Sequence, residues 1–192
     1  HQKAINLGIS IVDFSYAAVN KDHDLSNQKL ETCLNLMDDL GIDIPKDEDF
    51  LGRIERNREN VDSLSFLILS AYERATQYFK RTDKEELGIS ILAGTALESS
   101  LLLAHELEPD RNSIYFSFFN QQKQYANGLQ IIMERYREQE SMQGNLKIAE
   151  DLEKAFLTFE SWAASGDTTI RFETSKANLL SDIQLIKESS MH

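Results

Sequence analysis

The stretch Leu7-Gly-Ile-Ser-Ile11 occurs again as Leu87-Gly-Ile-Ser-Ile91, and each copy opens the most apolar helical stretch of its half of the chain. In both copies a glycine and, seven residues later, a small hydroxyl side chain fall on one helix face. These residues are Gly8 with Ser15 and Gly88 with Thr95. Small side chains let two helix backbones approach closely, so we expect the two helices to cross at the centre of the fold. The alternative is a chance repeat of five letters in a helix-rich sequence.

Apolar residues recur at helical spacing along the whole chain. The 192 residues include 8 Gly and only 2 Pro, a composition typical of long helices with short connections. Asp83 with Glu86 predicts a capping box, and Gly41 is placed to end a helix. The predicted helices span residues 4–20, 25–41, 47–58, 62–81, 84–107, 113–139, 145–164 and 173–189. The sequence thus predicts one all-α domain over 1–192, with two pseudo-repeats of four helices, about 1–82 and 83–192, packed around a central apolar helix pair.

Charge and cysteine content exclude several classes of protein. The net charge of −12 disfavours nucleic acid and anionic membrane surfaces as partners, because both attract clustered Lys and Arg. The single cysteine, Cys33, excludes an internal disulfide, and its apolar neighbours predict a small core residue. No uninterrupted apolar run approaches the ~18 residues of a transmembrane helix, since the nearest, 87–104, contains Glu98.

The motifs that carry chemistry are missing or incomplete. No histidine follows a glutamate by three residues, which excludes the ligand pattern of a di-metal helical bundle. Asp47, Asp49 and Gly52 fit part of a calcium loop, but Arg58 stands where the last carboxylate ligand belongs. Acidic residues at a helix start are the simpler interpretation. We therefore predict no catalytic residue, no metal site and no cofactor.

Glu98 is the most informative single residue, because the helix around it is apolar on every side and is therefore predicted to be buried. Two interpretations follow: an ion pair with Arg53, Arg56, Arg58 or Arg74, or a polar group at the floor of a ligand pocket. The candidate ligand-binding residues are Glu98, His105, Tyr72 and Tyr16. Asp13 is assigned to a solvent-facing polar stripe on the first helix.

An aromatic cluster opens the sixth predicted helix. Its members are Tyr115, Phe116, Phe118 and Phe119. Core packing is the expected role of such a cluster, and a groove for a partner helix is the alternative.

Several phrases together resemble a family of uncharacterised all-helical lipoproteins of the cell envelope of Bacteroidetes-type bacteria. These phrases are Leu7-Gly-Ile-Ser-Ile-Val-Asp-Phe-Ser-Tyr-Ala-Ala-Val19, Asp38-Asp-Leu-Gly-Ile42, Arg53-Ile-Glu-Arg-Asn57, Asp62-Ser-Leu64 and Leu92-Ala-Gly-Thr-Ala-Leu-Glu98. The family has a second Gly and a Trp where Thr95 and Ala96 stand here, which weakens the transfer of any pocket built around them. The resemblance implies an all-helical fold and export to the cell envelope or periplasm, with a lipid-modified Cys upstream of His1. It implies no activity.

These observations favour a non-enzymatic cell-envelope protein that binds a small ligand or a protein partner. One alternative is a cytoplasmic tetratricopeptide-like interaction scaffold, although that family's Trp-x-x-Leu-Gly-x-x-Tyr phrase is absent. Another is an enzyme with acid–base chemistry around Glu98, using His105 or Asp13. Glu98 and His105 lie two helical turns apart, about 10 Å along the axis, so they cannot exchange a proton directly.

Overall fold

The fold is all-α throughout the part of the chain that the structure describes. This computed structural model describes residues 1–42, 52–53, 56–57, 75, 77–110, 112–164 and 169–191, and no strand occurs in these ranges. Six α-helices have defined bounds: α1 Gln2–Val19, α2 His23–Asp39, α3 Glu85–Glu106, α4 Ile114–Met133, α5 Gln143–Ala164 and α6 Thr169–Ser190. Residues 77–82 form a seventh helical stretch. Two 3₁₀ turns, Glu134–Tyr136 and Glu140–Met142, join α4 to α5.

The predicted helices agree with these bounds at most places and differ at two ends. The helix predicted over 113–139 ends at Met133, where 3₁₀ turns take over, and the one predicted over 173–189 begins at Thr169. The segments predicted over 47–58 and 62–81 lie largely outside the described residues. Eight helices are therefore not confirmed, whereas the all-α class is.

Local side-chain and backbone preferences set several helix ends. The Asp22 carboxylate accepts a hydrogen bond from the backbone N–H of Leu25 at 3.1 Å, and the Ser113 hydroxyl accepts one from Phe116 at 3.3 Å. Gly41 follows α2 with a φ of 59°, as predicted for a glycine after a helix end. The predicted capping box is wrong, because α3 begins after Lys84 without a side-chain cap and Asp83 adopts a φ of 57°.

Helix α3 is the centre of the molecule and packs against α1, α4, α5 and α6. Its fully buried residues lie within one half of the helix surface, and most residues on the other half are partly buried. The main core surrounds it and includes an aromatic group in which the ring centroids of Phe119 and Phe159 are 5.0 Å apart. A smaller apolar cluster, Leu7, Cys33, Ile42 and Phe79, holds α2 and the 77–82 stretch against α1.

Two glycines allow α1 and α3 to cross at very short range. A Cβ atom on Gly8 would lie 2.7 Å from the backbone nitrogen of Thr95 and closer still to the carbonyl oxygen of Ile91. A Cβ atom on Gly94 would meet the backbone of Ile5 in the same way. Each helix thus places a glycine against the backbone of the other.

The crossing does not use the two copies of the pentapeptide equivalently. Gly8 from the first copy faces α3, but Gly88 from the second copy faces the ring of Phe79, and Gly94 supplies the reciprocal contact. Sequence identity over five residues could not reveal which glycine faces which helix, since that depends on the crossing angle. The arrangement in two pseudo-repeats is not confirmed.

Among the described residues, α3 is the one helix long and apolar enough to cross a membrane. Half of that apolar stretch is buried inside the protein, where four other helices cover it. The core position of α3 accounts for its composition, so the described residues include no clear transmembrane segment.

Candidate functional site

Glu98 lies in the middle of α3 with 3% of its surface exposed. Oε2 of Glu98 forms an ion pair with Nζ of Lys187, which α6 supplies. The burial of Glu98 was predicted correctly, because it follows from the composition of the helix around it. Lys187 was not among the predicted partners, which were arginines, since helical spacing says nothing about which distant helix supplies the cation. Two of them, Arg58 and Arg74, lie outside the described residues.

A second carboxyl group lies beside Glu98. Asp13 of α1 lies close enough to Glu98 for its negative charge to raise the pKa of that carboxyl group. Lys29 of α2 donates a hydrogen bond to Oδ2 of Asp13 at 2.6 Å. We call the row Lys29–Asp13–Glu98–Lys187 the charged row; α1, α2, α3 and α6 each contribute one member. Assigning Asp13 to a solvent-facing stripe was therefore wrong, because its carboxylate is partly buried and paired.

The charged row consists of two carboxyl groups, each paired with a lysine ammonium group. Burial raises the pKa of Glu98 above its ordinary value, because a buried carboxylate loses its hydration. The ion pair with Lys187 opposes that increase in the pKa of Glu98, and the negative charge of Asp13 adds to it. The two ion pairs, Lys29 with Asp13 and Lys187 with Glu98, connect α2 to α1 and α6 to α3.

The other predicted ligand-binding residues do not gather around Glu98. His105 is exposed in the last turn of α3, where its backbone carbonyl accepts a hydrogen bond from Nζ of Lys176 at 2.7 Å. Tyr16 is an exposed side chain near the end of α1. Tyr72 lies outside the described residues. Of the acid–base groups considered in the sequence, the structure brings together Glu98 and Asp13.

Cys33 is buried on α2 in the smaller apolar cluster. Burial and the nearby Asp13 carboxylate raise the pKa of the thiol to about 12, although Lys29 opposes the shift. The thiol is therefore protonated and unreactive at neutral pH, as expected for a small core residue.

A buried polar cluster missed in the sequence lies where α3 meets α5. Asn145 donates a hydrogen bond from Nδ2 to the hydroxyl of Ser90 at 2.7 Å, and Ser90 donates to the carbonyl of Glu86 at 2.8 Å. The ring of His1 also contacts Ser90, at 2.9 Å. Oδ1 of Asn145 has no hydrogen-bond partner within the part of the chain that the structure describes. Both residues interrupt strongly apolar helical faces, a sequence signal that could have identified them.

An apolar face of α4 is open to solvent. Ile114, Phe118 and Tyr125 are 62%, 43% and 63% exposed and follow one another at steps of four and seven residues, the spacing of a helix-packing seam. We call these three residues, with Gly128 at the next step of three, the α4 face. Phe116 and Phe119 of the predicted aromatic cluster are buried, so core packing accounts for them, and Phe118 alone of the three phenylalanines belongs to the α4 face.

Two properties distinguish the α4 face. A Cβ atom on Gly128 would meet nothing within 4 Å, so packing within the described chain does not require a glycine there. The segment Ile114–Met133 contains no acidic residue and a single basic one, Lys123, in a protein of net charge −12. Lys123 is itself paired with Glu160 of α5. The α4 face is thus apolar and nearly uncharged.

The described residues include no group of three or more His, Cys, Asp or Glu side chains that could hold a metal ion. Comparisons of the chain with models of protein families, with curated proteins and with solved structures found no match.

Proposed function

We propose that this chain is a non-enzymatic helical protein of the cell envelope that binds a protein partner through the α4 face. The observation that carries the proposal is the exposure of Ile114, Phe118 and Tyr125 along one side of a single helix. Exposed large apolar side chains that share one helix face are typical of surfaces that another protein covers. A helix laid along α4 would bury them at the spacing at which they occur.

The charged row supports a protein partner over a small ligand at Glu98. A ligand that used the Glu98 carboxylate would have to displace Lys187, leaving a partly buried cation without its partner. The same pairing argues against an enzyme built on Glu98 and Asp13, because each carboxylate already contacts a lysine. We therefore interpret the charged row as structural.

Two further features of the proposal come from the sequence. The resemblance to envelope lipoproteins supports export, with a lipid anchor upstream of His1. A tetratricopeptide-like scaffold remains the alternative architecture for binding a protein. The repeated Leu-Gly-Ile-Ser-Ile stretch supports a further proposal, that the two halves of the chain arose by duplication.

A photo-crosslinking amino acid at position 125 tests the proposal in cells that produce the protein. An adduct with one defined protein is expected from Tyr125, which projects from the α4 face. The matched control places the same amino acid at Leu185, an apolar residue of α6 with a comparable exposure of 59%. If neither position forms an adduct, or if both form the same ones, the α4 face is not a specific binding surface.

A further inference from the structure

We infer that His1, Ser90 and Glu86 form a pH-sensitive clamp, which holds the start of α1 against α3 more tightly when the ring of His1 is protonated than when it is neutral. We call these three residues the His1 clamp. The clamp uses none of the residues of the α4 face, so this inference does not rest on the proposed function. It is carried by the hydrogen bonds of Ser90 and by the position of the Glu86 carboxylate.

The hydrogen bonds of Ser90 determine what the ring of His1 donates. A serine hydroxyl can donate one hydrogen bond and accept two. Oγ of Ser90 lies 2.8 Å from the carbonyl oxygen of Glu86, 2.7 Å from Nδ2 of Asn145 and 2.9 Å from Nδ1 of His1. The carbonyl oxygen can only accept and the amide nitrogen can only donate. All three contacts are therefore hydrogen bonds at the same time only when Nδ1 of His1 carries a proton and donates it to Ser90.

The other nitrogen of the ring faces a carboxylate. Nε2 of His1 lies 3.6 Å from Oε2 of Glu86, and a negatively charged acceptor at this position favours a hydrogen on Nε2. A histidine ring with hydrogen on both nitrogens is the imidazolium cation. The protonated ring thus satisfies Ser90 and Glu86 together. The two side chains of this ion pair are 27% and 38% exposed, so solvent screens their attraction only in part.

The charges around the ring also favour its protonated form. The other ionisable side chains near the starts of α1 and α3 are those of Glu85, Tyr136, Arg135, Lys3 and Asp39. Burial raises the pKa of Tyr136, the negative charges of Glu85 and Glu86 add to that increase, and Arg135 opposes it. Lys3 and Asp39 pair with each other at 2.8 Å. Two carboxylates at the end of α3 that His1 contacts, in a protein of net charge −12, stabilise a cation there.

Loss of the Nδ1 proton weakens the clamp. The neutral ring keeps its hydrogen on Nε2, beside Glu86, and Nδ1 becomes an acceptor. The hydroxyl of Ser90 then turns from the carbonyl oxygen of Glu86 to Nδ1, and the attraction between the ring and the carboxylate is lost. The backbone carbonyl of His1 accepts hydrogen bonds from the N–H groups of Ala4 and Ile5, so a looser His1 loosens the first turn of α1. The clamp is therefore firm below the range in which histidine titrates and is released as the pH rises through it.

Amide hydrogen exchange of the first turn of α1, measured by mass spectrometry at about pH 5.5 and about pH 8, tests the inference. After correction for the intrinsic effect of pH on exchange, we expect protection to fall roughly two- to fivefold at the higher pH, the size expected for a partly exposed ion pair. In His1→Gln and in Glu86→Gln the corrected protection should be the same at both values. His105→Gln is the matched control, because it removes an exposed histidine from the other end of α3, and it should keep the pH dependence of the wild type.

Nitrogen NMR of the histidine rings tests the atoms that the clamp uses. At the higher pH the neutral ring of His1 should hold its hydrogen on Nε2, whereas a hydrogen on Nδ1 would overturn the roles given to Ser90 and Glu86. In the exchange experiment, first-turn protection that does not change with pH in the wild type would overturn the clamp. A pH dependence that survives in His1→Gln or in Glu86→Gln would also overturn it, because a merely structural contact predicts the same pH response with and without these side chains.

Discussion

Replacing Gly8 with alanine tests the packing at the centre of the molecule. The new methyl group would lie 2.7 Å from the backbone nitrogen of Thr95 and nearer to the carbonyl oxygen of Ile91. Both atoms belong to the backbone of α3, so no side-chain rotation can relieve the overlap. The helices must separate by about 1 Å, and apolar contacts along the whole crossing weaken.

The magnitude follows from two opposing terms. Alanine is better than glycine in a helix interior by about 1 kcal/mol, whereas overpacking a core contact costs about 1–3 kcal/mol and more when rigid atoms are struck. We expect Gly8→Ala to lower the free energy of unfolding by about 2 kcal/mol, which is an overpacking cost at the upper end of that range less the gain in helix propensity. Gly128→Ala is the control, because its methyl group meets nothing and should raise stability by up to ~1 kcal/mol.

Urea denaturation followed by far-ultraviolet circular dichroism measures the free energy of unfolding of both variants. Gly94→Ala places a methyl group from α3 against the backbone of Ile5 in α1, and it should lower the free energy of unfolding by a similar amount. In the double variant the second substitution should cost less than it does alone, because the helices are already apart. A Gly8→Ala protein as stable as the wild type would refute the reasoning.

Three further outcomes are expected. The pKa of Glu98 is raised above its ordinary value near 4.5, so the folded state binds the proton more tightly than the unfolded state does. The contribution of this carboxyl group to the free energy of unfolding therefore falls as the pH rises above 4.5. Urea titrations between pH 4 and 8 should therefore show Glu98→Gln gaining stability relative to the wild type as pH increases; a parallel pH dependence of the two proteins would contradict the assignment. Ser90→Ala should lower the free energy of unfolding, measured by thermal denaturation, by about 1–3 kcal/mol, because the buried amide of Asn145 loses its hydrogen-bond acceptor. Ser189→Ala near the end of α6 is the control. Equal losses of stability in the two variants would contradict the role given to the polar cluster. Cys33 should react with a thiol reagent at neutral pH only after denaturant is added, and rapid labelling of the native protein would show that the thiol is not buried.

The sequence predicted the parts of the fold that depend on local pattern. Helical periodicity located α1, α2, α3 and α5 to within a few residues of their observed bounds, because each has one clear apolar face or, for α3, apolar residues on all sides. It failed at Glu134–Tyr136, where continued helical spacing ran through a 3₁₀ turn that local composition does not mark.

At the candidate site, the contacts between distant helices could not be predicted from the sequence. Glu98 was identified because burial can be deduced from the residues beside it along the helix. Its partner Lys187 lies 89 positions further along the chain, and Asp13, on another helix, fitted a solvent-facing stripe equally well. Contacts between distant helices depend on crossing angles and axial offsets, which one sequence does not contain.

The surroundings of the glycines distinguish positions that pack inside the molecule from positions that face solvent. Gly8, Gly94 and Gly88 each touch an atom that a methyl group would strike, and Gly41 adopts a positive φ, so the fold itself accounts for these four. Neither a close contact nor a positive φ accounts for Gly128, yet it lies inside α4, where glycine costs about 1 kcal/mol relative to alanine. Gly144 is equally open but stands in the first turn of α5, where that cost is smaller because the helix there is less constrained. A mid-helix glycine with open space above it, beside Tyr125 on an uncharged face, is what a second helix crossing at short range would require, as the crossing of α1 and α3 already illustrates within the chain.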